Sequence, residues 1–337
     1  MVTVSHLKYV TAGMLYRNHI ITPDKKAFSD QPGGHALYTA AGIAVWDKTT
    51  GILAKVNSDF PGEWLDLFAS HGLDIGGVQV DKSEVDLRAF YAYDESGKIE
   101  TENPLGVYAK LGLVFPKSLL GNVSPSHSEE RKRELYSFQL KLRDIPSEYF
   151  DVSAVHICPL TYDSQIALAS LLHNQNITSI TIDAGDYLAS QFWAELPALF
   201  TSVSAFHISE RKITDLFFRR TKDLWEMAEG LAELGCDTIV IKRGAAGQLL
   251  YDNHAKERWE IPAYPVNIND PTGAGSAFCG GFLAGLRNTY DPLTSVLYGN
   301  VSASFSIEGA SPFYCMGVMP GLPNARLEAL RRVIKKV

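Results

Sequence analysis

Asn269-Asp-Pro-Thr-Gly-Ala-Gly-Ser-Ala-Phe-Cys-Gly-Gly-Phe-Leu-Ala-Gly-Leu286 runs from a turn straight into an apolar helix. Asp270-Pro-Thr opens the turn, and Gly273-Ala-Gly lets the backbone fold tightly with no Cβ in the way. The helix is expected from about Ser276. Small residues ahead of a helix leave several N–H groups pointing outward, backed by the helix dipole, and that combination holds anions. Gly280, Gly281 and Gly285 would let the helix pack closely on a neighbour or on a nucleotide. A Walker loop requires GxxxxGK[ST], which the chain lacks, and a dinucleotide loop requires GxGxxG near the first strand. Here Phe278 takes the third glycine position and the stretch lies late in the chain. From the glycines alone, an anion cradle and a tight turn without a ligand fit equally well.

Around this stretch, short apolar runs rich in β-branched residues alternate with amphipathic segments. Strands are expected at Tyr9–Ala12, Gly51–Val56, Ala154–Cys158, Ser179–Ile182 and Thr238–Ile241. Helices are expected at Ala36–Trp46, Glu63–His71, Ser164–Asn174, Phe192–Phe200, Thr214–Leu234, Ser276–Leu286, Pro292–Glu308 and Asn324–Lys336. Such alternation predicts an α/β fold, a doubly wound and mostly parallel sheet with helices on both faces. Thr238-Ile-Val-Ile reads as a buried parallel strand. From Gly76 to Lys98 near period-2 patterning and the turn-like Asp94-Glu-Ser-Gly suggest antiparallel strands, either a small lid (residues 76–98) or an edge extension of the main sheet. Ser128–Leu135 reads as a charged surface helix with Leu135, Phe138 and Leu142 as its buried stripe.

The 337 residues are 46% hydrophobic and 20% charged, with 38 acidic against 31 basic residues and a formal charge of -7. That balance argues against bulk electrostatic binding of nucleic acid. Cys158, Cys236, Cys279 and Cys315 are spread singly, with no CxxC pair, and the nine histidines lack HExxH spacing, so no zinc is expected. No apolar run approaches the roughly 18 residues of a membrane span, and the first residues carry no secretory pattern, making the cytoplasm the default. Asn122-Val-Ser and Asn176-Ile-Thr match a glycosylation pattern that has no meaning without secretion.

Asp270-Pro-Thr-Gly-Ala-Gly-Ser-Ala-Phe resembles the C-terminal signature of the ribokinase-like (PfkB) sugar and nucleoside kinases, which reads D-[TP]-x-G-A-G-D. Gly33-Gly-His-Ala-Leu-Tyr-Thr-Ala-Ala-Gly, then Ala54-Lys-Val-Asn-Ser-Asp-Phe-Pro-Gly, is similar to the N-terminal signature. Lys242-Arg-Gly-Ala-Ala-Gly resembles the nucleotide loop. The resemblance spans most of the chain. It implies a single α/β domain over residues 1–337 with a β lid, and transfer of the ATP γ-phosphoryl group to a sugar or nucleoside hydroxyl with Mg2+. Gly273, Ala274 and Gly275 would form the anion hole for the transferring group. Asp270 and Thr272 match a site for a monovalent cation such as K+. Lys242, Gly244 and Gly247 would lie along the nucleotide, with the helix and turn near 299–309 beside the adenine. Glu210, in His207-Ile-Ser-Glu, matches the glutamate that organises Mg2+. Gly33, Gly34, Tyr38 and Asn18 fall at the acceptor site, and a homodimer through the lid is a family-level expectation.

The departures bear on chemistry. Ser276 stands where the family has the aspartate that takes the proton of the acceptor hydroxyl. A serine hydroxyl is already protonated, and general-base catalysis is worth about 10²–10⁴-fold. A weakened kinase is one expectation; a catalytically inactive pseudokinase that binds a ligand or acts as a scaffold is the alternative. Asp270 is a candidate substitute base in a turn that points it elsewhere. Arg17 and Asn18 replace an expected aspartate, Tyr38 an asparagine. His207 replaces the asparagine of N-x-x-E and is expected to be a helix cap or a surface residue.

Overall fold

The computed structural model describes residues 6–122, 129–175, 177–188 and 190–337. Asn176 of the second glycosylation pattern and the start of the Ser128–Leu135 segment lie outside them. The described strands, in chain order, are β1 (Tyr9–Ala12), β2 (Tyr16–Ile21), β3 (Ala27–Gly33), β4 (Thr50–Asn57), β5 (Asp74–Asp81), β6 (Arg88–Tyr93), β7 (Ile99–Glu100), β8 (Ala154–Ile157), β9 (Ser179–Asp183), β10 (Ala205–Ser209), β11 (Thr238–Lys242), β12 (Gln248–Asp252), β13 (Glu257–Ile261) and β14 (Lys335–Lys336).

Ten strands form one sheet in the order β14-β13-β12-β11-β10-β9-β8-β1-β4-β5. From β11 to β5 every pairing is parallel, and the strands that pair on both sides are buried along nearly their whole length. The chain winds one way through β1, β4 and β5 and the other way through β8 to β11. With right-handed crossovers, the two directions put their helices on opposite faces. The reversal between β1 and β8 opens a crevice at the carboxyl ends of the strands.

The lid is assembled differently from the sequence expectation. Residues 76–81 belong to β5, which extends the edge of the main sheet, so of the expected insert only β6 enters the lid, joined there by β7 just beyond it. Its order is β3-β2-β6-β7, so half of it comes from residues 16–33. The expected hairpin exists between β6 and β7, turned by Asp94, whose Oδ1 accepts from the amides of Ser96 and Lys98. The β2–β6 pairing, however, is parallel, because β6 returns from the far edge of the main sheet to lie beside β2. β2 and β3 lacked a continuous apolar run, and Pro32 disfavoured a strand. β3 is an edge strand, where a missing N–H is tolerated.

The two faces of the lid are distinct. Tyr91 and Tyr93 point inward. Phe90, Ala92 and Ile21 point outward and are covered by Tyr108, Leu119 and neighbouring apolar residues of this same chain. The helix expected over Thr214–Leu234 is two, Glu210–Leu216 and Leu224–Glu233. Arg219 takes a left-handed conformation between them, and Asp223 caps the second by accepting from the amides of Trp225 and Glu226. The last helix stops at Arg331, and Lys335–Lys336 pair with β13 instead. In Phe192–Phe200 the first half is 3-10 and an α-helix restarts at Leu196. Phe138 is buried as expected, whereas Leu142 is exposed on a separate turn. Among the described residues no helix is long and apolar enough to cross a membrane.

Helix Ala274–Thr289 is buried from Ser276 to Leu286. Gly280, Gly281 and Gly285 within it face helices. A Cβ on Gly280 would lie 1.9 Å from the Thr39 carbonyl oxygen of helix His35–Ala44, and one on Gly42 would lie 2.0 Å from that of Ala277. Gly281 and Gly285 meet helix Pro292–Glu308 in the same way. Backbone in contact with backbone cannot yield as a flexible side chain does, so a methyl group here must part the helices. Gly280→Ala is therefore expected to cost about 2–3 kcal/mol, read as a lower urea midpoint at unchanged slope. Gly62→Ala, where nothing lies within 4 Å, serves as the neutral control.

Candidate functional site

A cavity of about 230 Å³ lies in the crevice, between the strand ends and the inner face of the lid. Its floor is made by residues at or just beyond the carboxyl ends of successive strands: Pro159 after β8, Asp183 on β9, Ser209 on β10 and Lys242 on β11. Gly273, Gly275 and Ser276 close one side, and the lid contributes Asn18, Tyr91 and Tyr93.

The glycine turn has the form expected of an anion cradle. Gly273 adopts φ +75, and a Cβ there would strike the Tyr38 ring at 2.1 Å, so only glycine fits. The helix begins at Ala274, two residues earlier than expected. Ala274 donates to the Pro271 carbonyl (3.2 Å), so its amide is engaged within the turn. The amides of Gly273, Gly275 and Ser276 have no intramolecular partner among the described residues, and all three residues line the cavity. The Lys242 ammonium lies 3.7 Å from where a Gly275 Cβ would be, which adds positive charge beside them.

Asp270 does not reach the cavity. It is buried, its Oδ1 accepts from the Thr272 amide (2.9 Å), and burial pushes its carboxyl above the ordinary range. It closes its own turn, as its position suggested. Gly244 and Gly247 take left-handed conformations on the turn after β11, beyond the cavity. Glu210 opens helix Glu210–Leu216 next to Ser209, half exposed, with Arg243 at 3.6 Å. His207 is neither cap nor surface residue: it is fully buried on β10, and Ser209 is the cap.

On the lid side Asn18 is buried, and its Oδ1 has no hydrogen-bond partner. Gly33 makes room for it, since a Cβ there would lie 2.0 Å from the Asn18 amide. Arg17 points away, held by Asp30 through two bonds of 2.7 Å. Tyr38 forms a wall of the cavity, whereas Trp46 is core, stacked on Tyr298 and donating to Ser302 Oγ (2.9 Å).

Several lining residues escaped the sequence reading: His35, Asp183, Lys212, Tyr91 and Tyr93. His35 follows the paired glycines directly, and Asp183 ends a continuous apolar strand. Both positions were visible signals. Asp183 and Lys242 form a buried ion pair at 2.7 Å. Burial alone would raise the Asp183 carboxyl, but Lys242 and Lys212 outweigh it and bring it down to about 2. Burial likewise opposes the Lys242 charge, and Asp183 overrides it.

A model of the pfkB family carbohydrate kinases matches residues 128–316, more than half of the chain. The chain belongs to the pfkB carbohydrate kinase family. It is 29% identical over 282 residues to the cytidine kinase of Thermococcus kodakarensis, covering 83% of this chain and 88% of that protein. It is 24% identical over 335 residues to the 5-dehydro-2-deoxygluconokinase of Clostridium beijerinckii, covering 93% of this chain and 86% of that one. The Methanocaldococcus jannaschii nucleoside kinase, an archaeal member of the ribokinase family, superposes with a TM-score of 0.66 at 19% identity over 96% of this chain and 99% of that one. The ribokinase-like fold with its smaller lid sheet is therefore that of this family member.

Behind the cavity floor His156 and His207 are buried with their rings 5.8 Å apart. Burial brings His156 down to about 3 and holds His207 far below its ordinary value. Unfolded histidine binds its proton near pH 6.5, so the unfolded state gains protons first as pH falls. Stability is thus complete above about pH 6.5 and is lost as acid is added, by about 1.4 kcal/mol per histidine for each unit below that value. Melting temperature is expected to fall between pH 7 and 5, and by less in His207→Phe.

Proposed function

We propose that this kinase transfers the γ-phosphoryl group of ATP, with Mg2+, to a hydroxyl of a nucleoside. The observation that carries the acceptor class is the convergence of Tyr38, Tyr91 and Tyr93 with the unpartnered Asn18 Oδ1 in one cavity. Aromatic walls suit a planar base, and an orphaned buried acceptor requires a donor such as a ribose hydroxyl. The likeness to a cytidine kinase supports the same reading.

In this reading the free amides of Gly273, Gly275 and Ser276, at the N-terminus of a 16-residue helix, hold the transferring group and stabilise the charge that grows on it. Lys242, fixed by Asp183, adds a cation at the same place. Gly244 and Gly247 shape the turn along the nucleotide, and the segment near 299–309 flanks the adenine. Mg2+ keeps several waters and is held largely by phosphates. The single carboxylate of Glu210, at the rim beside Ser209, fits such a role, and when bound the ion would neutralise phosphate charge. Asp270, buried and without a basic partner among the described residues, together with Thr272, suits a monovalent cation such as K+. The covered outer face of the lid leaves its edges for pairing with a second lid, so a homodimer through the lid would form by edge pairing and elute at twice the chain's mass in size exclusion.

ATP with Mg2+ at millimolar concentration is expected to raise the melting temperature by several degrees. Phosphate transfer is then assayed over a panel of nucleosides, sugars and sugar acids. Transfer to nucleosides alone supports the acceptor class, and preference for a sugar acid overturns it. Asn18→Ala is expected to raise the nucleoside KM about tenfold, the loss of one buried hydrogen bond.

A further inference from the structure

Ser276 occupies the position of a base without being one, yet it does not stand alone. Its Oγ lies 3.1 Å from His35 Nδ1, and both residues line the cavity. His35 is held at the start of helix His35–Ala44, directly after left-handed Gly34, with the Tyr16 ring edge-on at 6.3 Å. The two contact residues come from segments 241 positions apart, so the pair exists only because the two glycine-bearing helices touch.

We propose that Ser276 and His35 form a proton relay that replaces the missing carboxylate: the acceptor hydroxyl gives its proton to Ser276 Oγ while Ser276 gives its own to His35 Nδ1. This rests on the kinase reading above. As the acceptor oxygen forms its bond to the γ-phosphorus, the bond from that phosphorus to the bridging oxygen breaks and its electron pair leaves with ADP. His35 ends the step as an imidazolium and returns its proton to water. The relay requires the Nε2–H tautomer, with Nδ1 free to accept.

The surroundings suit this. Burial lowers the proton affinity of His35, opposed by Asp183 and Asp186, while Lys212 and Lys242 work in the same direction as burial. His156, behind it, is itself held neutral. The ring is therefore unprotonated near neutral pH, and the two carboxylates facing it stabilise the imidazolium once formed. Asp183 is a poor base in its place, because Lys242 occupies it at 2.7 Å and, with Lys212, lowers its proton affinity.

The test compares wild type, His35→Gln, Ser276→Ala, Ser276→Asp and the double variant His35→Gln/Ser276→Asp, each first checked by melting temperature. In wild type, kcat should rise with pH through one ionisation and then level. His35→Gln should lower kcat about 10²-fold, flatten that profile and change the acceptor KM by less than about threefold. In the Ser276→Asp background a carboxylate takes the proton, and His35→Gln should cost less than about fivefold. Independently of turnover, the 15N resonance of His35 Nδ1 should move in Ser276→Ala. Wild-type transfer unaltered by His35→Gln, an equal loss in both backgrounds, or an unmoved Nδ1 resonance overturns the relay alone. Transfer that appears only after Ser276→Asp also overturns it. No transfer by wild type or Ser276→Asp overturns the kinase reading and the relay together.

Discussion

The site depends on the backbone contact between helix His35–Ala44 and helix Ala274–Thr289. Gly42 faces the Ala277 carbonyl and Gly280 faces that of Thr39, so each helix sinks into the other where side chains would hold them apart. Tyr38 closes over Gly273 in the same manner. This seam connects the two ends of the chain. It sets the amides of Gly273, Gly275 and Ser276 against the tyrosine-walled side of the cavity and brings Ser276 to His35. Dispersion across so close a contact is strong and short-ranged, which makes the geometry stiff where phosphoryl transfer needs accurate placement.

Around that seam the parallel sheet delivers its functional groups by one rule. Each strand ends at the crevice, and Asp183, Ser209 and Lys242 are strand-terminal residues. Two of them neutralise each other, so a buried lysine can stand beside the amides without leaving an uncompensated charge in the interior. The histidines behind are neutral because burial outweighs the pull of Asp183 on each of them. The floor is thus polar at its surface and apolar one layer deeper. The lid adds the aromatic side, and its outer face is sealed by the chain's own helix and following loop, so its two faces serve different ends.

Much was legible in the sequence because some signals are local. Five strands were placed within a residue at each end, since continuous β-branched runs between polar turns fit buried parallel strands. The glycine turn before the apolar helix marked an anion cradle, and the glycine spacing marked close packing. Among the missed strands, β2, β3 and β10 carry Arg, Asn, His and Pro, which are neutral or unfavourable as strand formers until neighbouring strands and a lid cover them. His207 looked like a surface residue for the same reason, and only a sheet with aromatic rings on it makes a neutral buried imidazole tolerable.

The sequence by itself determined the fold class and the tight glycine turn at Gly273–Gly275 ahead of a buried helix, because each is written in contiguous residues whose conformations are locally constrained. Only the tertiary structure decided that Gly280 meets helix His35–Ala44 rather than a ligand, that residues 16–33 build half of the lid, that β6 lies parallel to β2, and that His35 stands within hydrogen-bonding distance of Ser276. Those outcomes depend on which distant segments meet, and that is fixed by strand order and by backbone approach, which no local pattern encodes.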